Sequence, residues 1–143
     1  MNDRDYEKLL AQVLRLEGWL APYCDVAGNL LVAPDYHGQE ASVGLERMTL
    51  LESHLRRVAL DLEYMLPVVG RLDAVRQRVL IHMAFNMGVE RLRARLRFIS
   101  AVQFRFWEAA ALEMMFSDWA KQEQWRADVL AEMMRTGRDE PGV

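Results

Sequence analysis

Two carboxylates eight positions apart, Glu17 and Asp25, are the side chains of this 143-residue sequence whose types and spacing suit acid–base chemistry. If the chain folds back between them, one can protonate a leaving oxygen while the other positions water or stabilises a cationic sugar, the division of labour that glycoside hydrolysis requires. Glu17 falls at the end of a helical pattern, where the electron-rich terminus does nothing for a carboxylate. As a general acid it would need its pKa raised by apolar neighbours, for which Leu16, Trp19 and Leu20 are candidates. The plainer alternatives are a solvated helix-end glutamate and, for Asp25, an aspartate capping its own turn before Gly28. Spacing alone leaves both readings open.

Other chemistries find less support. His37, His54 and His82 lack the HExxH or any other close ligand spacing, and the lone Cys24 cannot complete a zinc set, so neither a metal nor another cofactor is expected. His82 sits in the most apolar helical pattern and reads as a core histidine with one satisfied nitrogen. GxSxG, GxGxxG and GxxxxGK[ST] are all missing, which removes the usual cues for serine hydrolases, dinucleotide enzymes and nucleotide triphosphatases. Arg91, Arg93, Arg95, Arg97 and Arg105 form a dense positive segment. A helix spreads such residues around its circumference, so a solvated surface is expected, with attraction to a cell-wall polymer or nucleic acid as the functional alternative. Phe98, Phe104 and Phe106 read as core, which argues against nucleic acid.

The elements that must position these groups are mostly helical. With 52% hydrophobic residues, 27% charged residues and a net charge of −3, the chain can bury a core and offers no global attraction to nucleic acid. One cysteine excludes an internal disulfide. The charged start, Met1 to Lys8, argues against a targeting segment, and no window approaches the ~18 apolar residues of a membrane span. Apolar spacing predicts a first helix over 6–17 with Gly18 as its stop. Pro22, Asn29, Pro34 and the run Leu30 to Ala33 predict a hairpin in a small lobe over 19–45, the one strand signal in the chain. A long amphipathic helix over 46–66 follows, interrupted by Pro67 and Gly70. Asp73 then caps a central core helix that ends at Gly88, and further helical patterns cover 89–103, 105–116 and 124–135, with Ser117-Asp118 as a break and Gly137 as the final cap. A groove between the small lobe and the helical remainder, 71–137, is the expected ligand site.

Glu17-Gly18, Pro22-Tyr23-Cys24-Asp25 and Gly28 together resemble the amino-terminal signature of phage T4-type lysozymes, in which EG precedes a PYxDxxG stretch. The order continues through Leu72 to Arg76, Met83 to Gly88, Trp107 to Ala111, Trp119, Arg126 and Met133 to Gly137, with FNMG and MMRTG the most specific parts. The resemblance covers roughly residues 6 to 137. It implies one lysozyme-like domain over 1–143, an α+β, mainly helical, two-lobed fold with a hairpin lobe, a connecting helix and a helical lobe. It also implies an N-acetylmuramidase that cleaves the β-1,4 bond between N-acetylmuramic acid and N-acetylglucosamine.

On the same resemblance, Glu17 is the catalytic acid and Asp25 the carboxylate that helps hold water. Arg126 matches the arginine that pairs with the acid, and Asn86 and Trp119 match the polar and aromatic residues of the cleft floor. Leu31 departs from the pattern: it stands where the family has a threonine whose hydroxyl positions water, and leucine offers no hydrogen bond. Pro34-Asp35 replace a glycine-bearing turn, and the Glu17 to Asp25 spacing is one residue short. The implied roles are an endolysin or virion-associated lysozyme, or a catalytically impaired lysozyme-fold module that binds glycan or a protein partner. The implied partner is bacterial peptidoglycan, met by a monomer without nucleic acid or membrane insertion. Synthesis is expected in the host cytoplasm, with action on the wall after holin-type release or delivery with a virion.

Overall fold

Helix α1 (Asp3–Leu16) begins at a reciprocal cap, in which Asp5 N–H donates to Asn2 Oδ1 at 2.8 Å and Asn2 N–H donates to Asp5 Oδ2 at 3.2 Å. Its apolar face buries Leu9, Val13, Leu14 and Leu16, and Gln12 is buried among them. Glu17 closes the helix, its N–H donating to Val13 O at 2.9 Å. The glutamate side chain therefore leaves from the end of an element anchored in the core. The computed structural model describes residues 1–17, 40–122 and 124–139.

Helix α2 (Glu40–Met65) buries Leu51, Leu55, Val58, Ala59 and Leu62. Pro67, which lacks an amide proton, turns the chain into a 3-10 helix, Pro67–Arg71. Asp73 then accepts the Arg76 N–H at 3.1 Å and opens α3 (Ala74–Met87). Seven consecutive residues of α3, Arg78 to Ala84, are buried. Such a run cannot lie on one face, so the helix is enclosed all round, by α1, α2 and the elements that follow it.

Gly88, at φ +93°, ends α3 and leads into α4 (Val89–Ala94) and α5 (Leu96–Gln103). Helix α6 (Trp107–Met115) packs on α5 and along α8 (Gln124–Thr136), with the short α7 (Asp118–Gln122) against both. Arg76 ties the carboxyl end of α8 to α3, donating from Nε to Met134 O at 2.7 Å and from Nη2 to Arg135 O at 3.1 Å. The Trp107 ring lies 3.9 Å beneath the guanidinium. Gly137 completes that end at φ +70°, where an added Cβ would come within 2.8 Å of Arg76 Nη1.

Several expectations are corrected. Among the described residues there is no strand, and the class is all-α rather than α+β with a hairpin lobe over 19–45. Residues 40–45 belong to α2, which starts before the expected connecting helix, because Glu40, Ala41, Leu45 and Glu46 are good helix formers that extend the pattern backwards. Pro22, Pro34 and Leu30 to Ala33, which carried the strand signal, lie outside the described residues. The 89–103 pattern is two helices, broken at Arg95, where ψ is 76°. The expected break at Ser117-Asp118 is the start of α7, with Ser117 Oγ accepting the Ala120 N–H at 3.1 Å. Phe98 is buried as expected, but Phe104 and Phe106 are 68% and 63% exposed and stack with their centroids 6.0 Å apart. Among the described residues no helix is long and apolar enough to cross a membrane.

Candidate functional site

Four helices converge on the Glu17 carboxyl. His82 and Asn86 stand one turn apart on α3 and so share a face, Trp119 comes from α7 and Arg126 from α8. Glu17 Oε1 accepts from Asn86 Nδ2 at 2.8 Å and lies 2.9 Å from His82 Nε2, while Arg126 pairs with Oε2. Asn86 Oδ1 accepts from Trp119 Nε1 at 3.3 Å. An indole N–H can only donate, so this contact fixes the amide with its NH2 towards Glu17.

A second line of polar groups backs the first. Gln12 Nε2 lies 3.0 Å from His82 Nδ1. An amide nitrogen only donates, so Nδ1 accepts, the imidazole proton sits on Nε2, and His82 donates to Glu17. Burial pushes the His82 imidazole down to about 4, leaving it uncharged at neutral pH. Burial also pulls the Arg126 guanidinium below its ordinary value without discharging it. The Glu17 carboxyl is thus oriented by two neutral donors on one oxygen and a cation on the other, with only 8% of its side chain exposed. Hydrogen bonds to a charged group contribute about 1.5–3 kcal/mol each, enough to hold one rotamer.

The same residues border a cavity of ≈ 780 Å³, a size suited to an extended small ligand. Glu17, Asn86, Trp119 and Arg126 line it, together with Arg91, Arg95, Phe116, Ser117 and Asp118. Asp25 and Leu31 lie outside the described residues, so the structure brings together four of the six sequence candidates. No group of three His, Cys, Asp or Glu among the described residues is placed to hold a metal.

Sequence reasoning missed two members. His82 is not a bystander with one satisfied nitrogen, since both ring nitrogens meet polar partners and one of them touches Glu17. Its signal was the four-residue step to Asn86. Gln12 was passed over too, although a polar residue among Leu9, Val13 and Leu16 interrupts an apolar face and needs a partner. Among the described residues, the apolar setting expected for Glu17 is met only by the buried Leu16; the groups that reach the carboxyl are donors, of which Arg126 is the one the resemblance implied. No protein-family model and no curated protein matches the chain.

Proposed function

We propose that this protein is a peptidoglycan N-acetylmuramidase, a phage-type lysozyme or endolysin, that hydrolyses the β-1,4 bond between N-acetylmuramic acid and N-acetylglucosamine with Glu17 as proton donor. The observation that carries this reading is the nearly buried Glu17 carboxyl, oriented by Asn86, His82 and Arg126 on the wall of a cavity large enough for a glycan. The motif resemblance that runs through FNMG, Trp119 and Arg126 supports it.

The donor pattern dictates how the acid is loaded. Oε1 already accepts two hydrogen bonds, so a transferable proton belongs on Oε2, on the side that Arg126 occupies. Glycan binding that draws Arg126 aside frees Oε2 for the proton and places the glycosidic oxygen next to it. Departure of the leaving oxygen with that proton regenerates the carboxylate, to which Arg126 returns. Asn86 and His82 hold the other oxygen throughout, so the carboxyl does not rotate. Water activation falls to Asp25, with no help from a hydroxyl at Leu31. The enzyme works as a monomer without cofactor, reaching the wall after holin-type release or with a virion.

Reducing-end release from purified peptidoglycan tests the proposal. Glu17→Gln keeps the shape but cannot deliver a proton, and its rate should fall at least about 100-fold, the lower range for loss of a general acid. Undiminished release by that variant overturns the assignment. Leu31 favours the second reading, a glycan-binding module without turnover; wall binding by the unaltered protein with no reducing ends released would establish it.

A further inference from the structure

We propose that the α5–α6 hairpin, through its turn and the outward side of its helices, is a docking surface for an anionic lipid bilayer. Helix α5 buries Phe98, Ile99, Ala101 and Val102 and turns Leu96, Arg97, Ser100 and Gln103 outward. Leu96, Phe104, Phe106 and Leu112, all within this one hairpin, are each more than half exposed. None of these outward residues lines the Glu17 cavity, so the inference stands apart from the muramidase reading.

The two phenylalanines are held out at a cost to the backbone. Arg105, between them, takes φ +60°, a left-handed conformation that residues other than glycine rarely adopt. Three successive amides fix the turn: Phe104 N–H donates to Ser100 O at 3.0 Å, Arg105 N–H to Val102 O at 3.1 Å and Phe106 N–H to Ala101 O at 2.8 Å. The ring centroids stand 6.0 Å apart with their planes 21° from parallel. What faces outward is therefore a fixed apolar tip and not a frayed end, and exposed apolar surface held in this way marks an interaction site.

Charge selects the partner. Each acid of the hairpin already faces an arginine from outside it: Glu108 pairs with Arg135 of α8 at 3.3 Å, and Glu113 acts on Arg95 ahead of α5. Arg97 and Arg105 are exposed and form no ion pair among the described residues. A second copy of the chain would set these cations against their own images across a two-fold axis, so the face is not self-complementary. A polynucleotide needs a run of cations and open aromatic faces, whereas here two cations accompany four apolar side chains and the two rings stack on each other. An anionic bilayer satisfies both parts. Phenylalanine and leucine enter the boundary between headgroups and acyl chains, while arginine stays at the lipid phosphates. The net charge of −3 orients the encounter, because the same lipids repel the rest of the molecule. Docking of this kind lies in the interface and needs no membrane-crossing helix.

Vesicle flotation tests the proposal, with phosphatidylcholine alone and with an equal mixture of phosphatidylcholine and phosphatidylglycerol. The unaltered protein should bind the mixed vesicles at least about tenfold more tightly than the neutral ones and lose most of that preference at high salt. Phe104→Ser with Phe106→Ser, and separately Arg97→Glu with Arg105→Glu, should each weaken binding about tenfold or more. Tyr64→Ser removes a still more exposed ring, on α2, and should leave binding within about twofold. All these side chains are exposed, and urea midpoints check that each variant is folded. No binding to the mixed vesicles, equal binding to both kinds, or an equal loss in Tyr64→Ser overturns the proposal and leaves the muramidase reading untouched. Sedimentation that finds a dimer dissolved by the Phe104 and Phe106 changes also overturns it, and makes a second copy the occupant.

Discussion

Helix α3 carries two buried polar clusters one turn apart, and they are built to different standards. Around His82 both ring nitrogens are paired, and the chain of partners runs from Gln12 through His82 to Glu17 at the cavity wall. Around Arg78, 1% exposed, the single anion is Asp139 from the segment after α8, shared with Lys8 at 3.7 Å, while Nε and Nη1 have no partner among the described residues. The first cluster orients a carboxyl towards a cavity; the second fastens the end of the chain to the core. Buried charge alone does not mark a site, since both clusters have it. What separates them is that one directs donors at a group facing open volume.

The two should respond oppositely to mutation. Glu17→Gln, which ought to abolish turnover, should lower the urea midpoint only slightly, because the amide oxygen keeps an acceptor of similar shape for Asn86 and His82. Asp139→Ala should do the reverse. Removing the anion leaves Arg78 buried and unpaired, at a cost of about 3 kcal/mol in urea unfolding, with the rate per folded molecule unaltered. A large rate loss in Asp139→Ala would mean that the clusters are coupled through α3, and the contrast would fail.

His82 supplies a prediction in pH. Its imidazole value is about 4 when folded, against an ordinary 6.5 in the unfolded chain, so between these the unfolded chain binds more protons. The associated stability is fully present above 6.5 and is lost as pH falls towards 4, by about 3 kcal/mol in all. His82→Asn removes this slope, and urea midpoints measured at pH 7 and pH 4.5 should converge in the variant. An unchanged slope would place the proton uptake elsewhere. The smallest effect expected is on turnover in the same variant. Loss of one orienting hydrogen bond, about 1.5 kcal/mol, should lower kcat roughly tenfold with KM little changed, whereas a purely structural role would leave the rate per folded molecule intact.

Much of the helical framework was legible because it rests on local chemistry. Asp73 caps α3 through an oxygen three residues from the amide it accepts, Pro67 cannot continue α2, and Gly88 and Gly137 take positive φ where other residues strain. The seven-residue buried run of α3 was visible as near-continuous apolarity. The hairpin expectation failed where the signal was weakest, since the amino-terminal turns of α2 have helix-forming composition but little periodicity to extend it from 46 back to 40. Phe104 and Phe106 misled for another reason: aromatic residues usually seek the core, yet Arg105 at φ +60° turns the chain between them and leaves both rings outside.

The site was legible only residue by residue. Glu17, Asn86, Trp119 and Arg126 could be named from motif order, but that order says nothing of the donors each receives. The sequence by itself determined where the helices start and stop and which faces are apolar, because caps, proline and periodicity act within about one turn. Only the tertiary structure decided that Gln12 and His82, 70 residues apart, stand within a hydrogen bond of each other and that His82 reaches Glu17. It also decided that Arg91 and Arg95 share a cavity with that acid. Such contacts depend on how separate helices pack, and packing follows the volumes and shapes of many side chains at once, which no local pattern encodes.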